Sequence, residues 1–107
     1  MSDTILREFF LGFVRIHILH HAAEEGVYGL GMIEELARHG YSLSPGTIYP
    51  LLHSMERAGY LTCEQRHVKG RPRKYYTITP RGHEVLTEAQ RKIGELTGEV
   101  GPKRRRR

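Results

Sequence analysis

The 107-residue sequence predicts a mainly α fold of the α+β class: three helices, a β-hairpin and a fourth helix. Three observations carry that expectation. Ile48, Leu51, Leu52, Met55 and Ala58 follow the i, i+3, i+4, i+7, i+10 spacing of one buried helical stripe. Residues 60–68 and 73–79 are rich in Tyr, Thr, Val and Ile in rough alternation, on either side of turn-forming Lys69-Gly70-Arg71-Pro72. The first 25 residues are apolar on nearly every side when placed at helical pitch.

The first helix is predicted over residues 3–25, with Asp3 as its cap and Gly26 as its stop. Leu6, Phe10, Phe13 and Val14 share one side, and only Arg7, Glu8 and Arg15 interrupt the apolar surface strongly. A domain this small cannot bury such a helix alone, so a second subunit is expected to cover part of it. The second helix, 29–39, turns Ile33, Leu36 and Ala37 inward and Glu34, Glu35 and Arg38 outward, with Gly40 placed for a left-handed cap. Ser44 and Pro45 make an N-cap and N1 pair for the third helix, which Gly59 ends. Two short helices joined by about four residues form a helix-turn-helix unit. The hairpin follows, and Thr79-Pro80 repeats the cap-plus-proline start for the last helix. Leu86, Ala89, Ile93 and Leu96 are spaced there as a short coiled-coil seam. This order is that of a winged helix-turn-helix with a C-terminal dimerisation helix. The organisation expected is a DNA-binding domain at 1–79, whose first helix also dimerises, a dimerisation helix at 80–98, and a flexible basic tail at 99–107. Phe9, Phe10, Phe13, Leu86, Ala89, Ile93 and Leu96 are the expected dimer contacts.

The net charge of +5 is unevenly spread. Residues 1–65 carry −4, whereas residues 66–81 carry six cations (Arg66, Lys69, Arg71, Arg73, Lys74 and Arg81) and no acid. The tail from Lys103 to Arg107 adds five more. A mildly acidic body with one concentrated basic segment points to a polyanionic partner, most commonly nucleic acid. Opposite its apolar stripe, the third helix presents Thr47, Tyr49, Pro50, His53, Ser54 and Arg57, a face suited to the major groove. Its start at Ser44 offers free N–H groups and a positive dipole end to a phosphate. Arg66, Lys69, Gly70, Arg71, Arg73 and Lys74 form a narrow cationic ribbon suited to the backbone or the minor groove. The same features also fit a solvated helix face and a solubility device; it is their joint occurrence in this order that favours double-stranded DNA. Pro50 lies inside the helix, where it gives up a hydrogen bond to Gly46 and is expected to kink the first turn towards the groove.

The strings Gly46-Thr47-Ile48-Tyr49-Pro50-Leu51-Leu52, Glu56-Arg57-Ala58-Gly59-Tyr60-Leu61 and Gly70-Arg71-Pro72-Arg73-Lys74-Tyr75-Tyr76-Thr77-Ile78-Thr79, with Gly82 and Tyr28-Gly29, closely resemble the PadR family of bacterial transcriptional regulators. The resemblance spans roughly residues 5–97. It implies a winged-helix homodimer in which the first and last helices join protomers while the third helix and wing hold a two-fold symmetric operator. The single C-terminal helix resembles the short subfamily. Such proteins are usually repressors released by a small effector, often a phenolic or planar hydrophobic compound. This chain departs from some drug-binding relatives in having no Trp, and so no indole platform.

Three of seven histidines fall in Arg15-Ile16-His17-Ile18-Leu19-His20-His21. His17, His21 and Glu24 share a helical face and have the spacing of a zinc-like divalent metal site, which makes a metal a second candidate effector. The same residues fit interface histidines, or cations favoured by the helix C-terminus, and that plainer reading is the one to displace. His39, His53, His67 and His83 are scattered and show no ligand spacing. Cys63 alone excludes a disulfide framework and a multi-thiolate zinc site, and its strand alternates it with Leu61, as for a core residue. No nucleophile-elbow string, phosphate loop or H-E-x-x-H motif is present, so neither catalysis nor a required cofactor is expected. No run approaches the roughly 18 apolar residues of a membrane span, and the start MSDTILREFF lacks a basic signal region, so a cytoplasmic location without membrane contact is expected. The alternative reading is a winged-helix interaction module that uses its basic face on an acidic protein or on RNA.

Overall fold

The computed structural model describes residues 3–101. Its elements are α1 (Thr4–Glu24), α2 (Gly29–Arg38), α3 (Pro45–Arg57), β1 (Leu61–Val68), β2 (Arg71–Ile78) and α4 (Pro80–Val100), the winged helix-turn-helix order. The cationic tail from Lys103 to Arg107 lies outside the described residues.

Local chemistry sets most boundaries. Asp3 accepts hydrogen bonds from the Ile5 and Leu6 N–H groups at 3.0 and 3.3 Å and so caps α1. Gly26, with φ +90°, ends it, and Gly40 and Gly59 do the same for α2 and α3. Ser44 caps α3 through its carbonyl, which accepts from Thr47 and Ile48 N–H, while its side chain makes no capping bond. The α3 helix runs unbroken through Pro50. Because α2 ends at Arg38, six residues rather than four connect it to α3.

The hairpin turn is tighter than the sequence suggests. Lys69 and Gly70 alone make it, at φ 54° and 79°, and Arg71 and Pro72 belong to β2. A two-residue turn makes Val68–Arg71 the closing hydrogen-bonded pair, which puts Pro72 opposite His67 in a non-bonded pair. Its missing N–H therefore costs the ladder nothing. By the same alternation Tyr76 directs its backbone away from β1. There it exchanges both hydrogen bonds with Val27 at 2.7 and 2.9 Å, tying the wing to the α1–α2 connection.

The core is one cluster: Val14, Ile18, Leu19 and Ala22 of α1, Met32 and Leu36 of α2, Ile48, Leu51, Leu52 and Met55 of α3, with Val27, Leu61, Tyr76 and Leu86. Two stripe positions need correcting. Ala37 and Ala58 are exposed, each at the end of its helix beyond the reach of the core, and Met32 takes the inward position expected of Ala37. Gly82 lets α4 approach the hairpin: a β-carbon there would lie 2.3 Å from the Tyr60 carbonyl oxygen. Beyond Ala89 the helix leaves the body. The radius of gyration, 15.6 Å, accordingly exceeds the ~13 Å of a compact domain of this length.

Candidate nucleic-acid interface

The α3 stripe is buried, so the opposite face points outward by helical geometry: Tyr49, Pro50, His53, Ser54 and Arg57 are exposed and Thr47 is half-buried. Ser54 turns its hydroxyl back to the Leu51 carbonyl at 3.0 Å. Tyr49 and His53 are neighbours one turn apart, with ring centroids 6.4 Å apart. The strand register then decides where the wing cations go. Lys69, Gly70 and Arg71 sit exposed at the tip, with Lys74 exposed further down β2.

Arg66 and Arg73 are cross-strand partners, and each guanidinium is stacked on a tyrosine. The Arg73 guanidinium lies 4.1 Å from the Tyr28 ring centroid, and Arg66 lies 4.3 Å from that of Tyr75. Tyr28 and Tyr75 pack on each other at 5.3 Å, which completes an arginine–tyrosine–tyrosine–arginine stack under the wing. Arg66 also pairs with Glu64 and donates to the Glu25 carbonyl at 3.2 Å. The acid-free run from 66 to 81 thus draws an ion-pair partner from Glu64, two positions before it.

Four of the expected DNA-binding residues meet. Tyr49 and His53 of α3, with Arg73 and Lys74 of β2, line one open cleft of about 440 Å³, whose remaining walls include Tyr28, Gly29 and Leu30. Ser44, Thr47, Pro50 and Arg57 do not line it, nor do Lys69, Gly70 and Arg71, and Arg66 faces the end of α1. Sequence reasoning missed the part played by Tyr28, Gly29, Leu30 and Tyr75. The Tyr28-Gly29 pair is visible as a string, but its purpose is a contact between helices that periodicity within one helix does not reveal. Tyr76 also lines the cleft, and burial first and then Cys63 and Glu56 push its phenol up to about 12.

The histidines are arranged differently from their spacing. His20, His21 and Glu24 bring ligand atoms within 4.8 Å of one another, while His17 does not join them. Its ring packs on Phe13 at 4.8 Å and on His39 at 5.2 Å. Burial, and then the neighbouring His39, His21 and His20, lower its pKa. His39 is not scattered either: its Nε2 lies 3.0 Å from Glu35. Arg38 and His39 hydrogen-bond the Glu35 carboxyl and hold it below the usual carboxylate range.

Of the expected dimer contacts, Phe9, Ile93 and Leu96 are exposed and Ala89 is half-buried. Phe10 and Phe13 pack on Tyr41 of the same chain at 5.1 and 5.7 Å, and Leu86 is buried in its own core.

Residues 18–88 match the Transcriptional regulator PadR-like family. The chain is 53% identical over 95 residues to the transcriptional regulator Rv3488 of Mycobacterium tuberculosis, covering 89% of each. Among solved structures, it resembles a PadR-like transcriptional regulator from Bacillus cereus with a TM-score of 0.80 and 33% identity, over 87% of this chain and 92% of that one. A PadR family regulator from Eggerthella lenta superposes with a TM-score of 0.75 at 32% identity, over 92% and 87%. The helix-turn-helix, the wing and the cleft between them all fall within these matches, and the chain belongs to the PadR-like family of DNA-binding transcriptional regulators.

Proposed function

We propose that the protein is a homodimeric repressor that binds a two-fold symmetric operator and is released by a small effector. The observation that carries this reading is the shared cleft: Tyr49 and His53 face the same space as Arg73 and Lys74. A helix in the major groove and a cationic ribbon on the adjoining backbone or minor groove can then engage one duplex together. Ser44, Thr47, Tyr49, Pro50, His53 and Arg57 are assigned to the groove side. Lys69, Gly70, Arg71, Arg73 and Lys74 are assigned to the phosphates, and Arg66 supports the wing. A dimer bound over a promoter represses by occupying it.

In this reading residues 1–79 bind DNA and α4 dimerises, its helix running to Val100 rather than stopping at the expected residue 98. Exposed Ile5, Leu6 and Phe9 on α1, with Ile93, Leu96 and Val100 on α4, are the apolar surface a second copy would cover. Where α1 and α4 meet, Phe13, Ile16, His17, His20, Leu86 and Gln90 line a cleft of about 240 Å³. A phenolic or hydrophobic effector wedged there would alter the angle between the dimerising helices and so the distance between the two α3 helices.

The test is a gel shift with DNA from upstream of the protein's own gene against random duplex of equal length. A large preference for the upstream DNA supports the repressor. Equal binding to both would favour the interaction module and overturn operator recognition.

A further inference from the structure

The last turn of α1 carries a cluster that DNA binding does not use. His20 Nε2 lies 3.6 Å from Glu24 Oε2, and His21 Nδ1 lies 3.9 Å from Glu24 Oε1, so three donors converge on one side of the helix end. Two metal–ligand bonds of about 2.0–2.1 Å meeting tetrahedrally hold donor atoms roughly 3.3 Å apart. All three side chains are at least partly exposed, and small rotations close the difference.

A second observation concerns the other nitrogen of His21. Its Nε2 lies 3.4 Å from Glu35 Oε2 on α2, and that carboxylate is itself held by His39 and Arg38. With Nε2 turned to that carboxylate, it is Nδ1 that faces Glu24. This is how a histidine ligand is normally oriented: its far N–H donates to a fixed carboxylate, which sets the tautomer and raises the basicity of the ligating nitrogen. Two imidazoles and one carboxylate suit a first-row ion of the zinc class rather than magnesium or calcium, and three protein ligands leave a fourth position open.

We propose that His20, His21 and Glu24 bind a zinc-class divalent cation, with Glu35 as the positioning residue that orients His21. The set replaces His17 with His20, because the His17 ring is turned into the Phe13 and His39 packing. Since Glu35 belongs to α2, the first helix of the helix-turn-helix, the ion couples the dimerising helix to the DNA-binding unit. That coupling rests on the repressor reading; the binding itself does not.

The test is calorimetry of Zn²⁺ into the full chain, repeated with Co²⁺ by visible absorption. The expected result is one ion per chain, with affinity at least tenfold weaker in His20→Ala, His21→Ala and Glu24→Gln and unchanged in His17→Ala. Glu35→Gln should weaken it by about 10–100-fold, the usual effect of losing an orienting carboxylate. No saturable binding by wild type, wild-type affinity in His20→Ala and Glu24→Gln, or a loss in His17→Ala as large as in His20→Ala would each overturn the site. An unchanged Glu35→Gln would overturn the link to α2. Operator binding by metal-free protein is read separately by gel shift, so failure of the ion site and failure of the repressor reading show in different measurements.

Discussion

The ring of Tyr49 on α3 rests against the bare α-carbon of Gly29 at the start of α2. A β-carbon at residue 29 would lie 2.3 Å from Tyr49 Cζ and 2.5 Å from its hydroxyl. The atoms in conflict are the far end of a half-exposed side chain, which can swing out instead of straining the core. Gly29→Ala is therefore expected to leave stability within roughly 1 kcal/mol of wild type and to displace Tyr49 from the cleft. Operator affinity should fall by roughly tenfold, the order of one lost contact at about 1.4 kcal/mol. Denaturation and fluorescence anisotropy on the same preparation check both halves, and intact DNA affinity would remove Tyr49 from the interface.

Replacing Lys69, Arg71 and Arg73 by Ala should weaken binding to every DNA sequence, because phosphate contacts carry no base information. If each protomer of a dimer loses three such contacts, the slope of log K against log salt should flatten by about 5. Thr47→Ala or His53→Ala should instead change the ranking of operator variants while keeping the slope. A salt series on the triple variant is decisive: an unchanged slope would take the wing off the DNA.

Most of the fold is legible in the sequence, because it is written in local chemistry. Asp3, Gly26, Gly40, Ser44-Pro45, Gly59 and Thr79-Pro80 mark the helix ends, and the α3 stripe is clean from Ile48 to Met55. What is not legible depends on distant partners. The positive φ of Lys69, which shortens the turn, is a property a lysine does not advertise. The stack of Arg66 and Arg73 on Tyr75 and Tyr28 joins the hairpin to the much earlier connection between α1 and α2. His17 is seven residues from Glu24 and His20 only four, but that His17 lies against Phe13 and His39 rather than with His20, His21 and Glu24 depends on side chains far apart in the chain.

Tyr76 should make stability depend on alkaline pH. Its phenol is raised to about 12 by burial, so the folded state holds the proton more tightly than the unfolded chain, where it leaves near 10. The contribution is whole below about pH 10 and is lost as pH climbs from there to about 12. A rise of that size corresponds to roughly 2–3 kcal/mol. Urea denaturation of wild type and Tyr76→Phe at about pH 9 and pH 12 isolates the effect. The stability difference between the two proteins should move by that amount in favour of Tyr76→Phe as pH rises. A pH-independent difference would mean that the phenol is solvated in the folded protein.

The proposed dimerisation can be separated from folding through the exposed apolar residues on the free half of α4. Ile93 and Leu96 are 44% and 53% exposed and touch no core, so charging them should cost a single chain little. In an isologous pair the same patch meets itself, so the introduced carboxylates would be buried against the partner's matching patch, where Arg91 is already engaged by Glu88 and Glu95. Ile93→Glu/Leu96→Glu is therefore expected to keep its helical circular dichroism and sediment as a monomer. It should also lose about 10²–10⁴-fold in operator affinity, because the second half-site no longer engages at high effective concentration. Sedimentation velocity at the concentration of the binding assay measures the oligomeric state directly. A double variant that stays dimeric would move the interface off α4 and onto α1 alone, where Ile5, Leu6 and Phe9 would have to carry it.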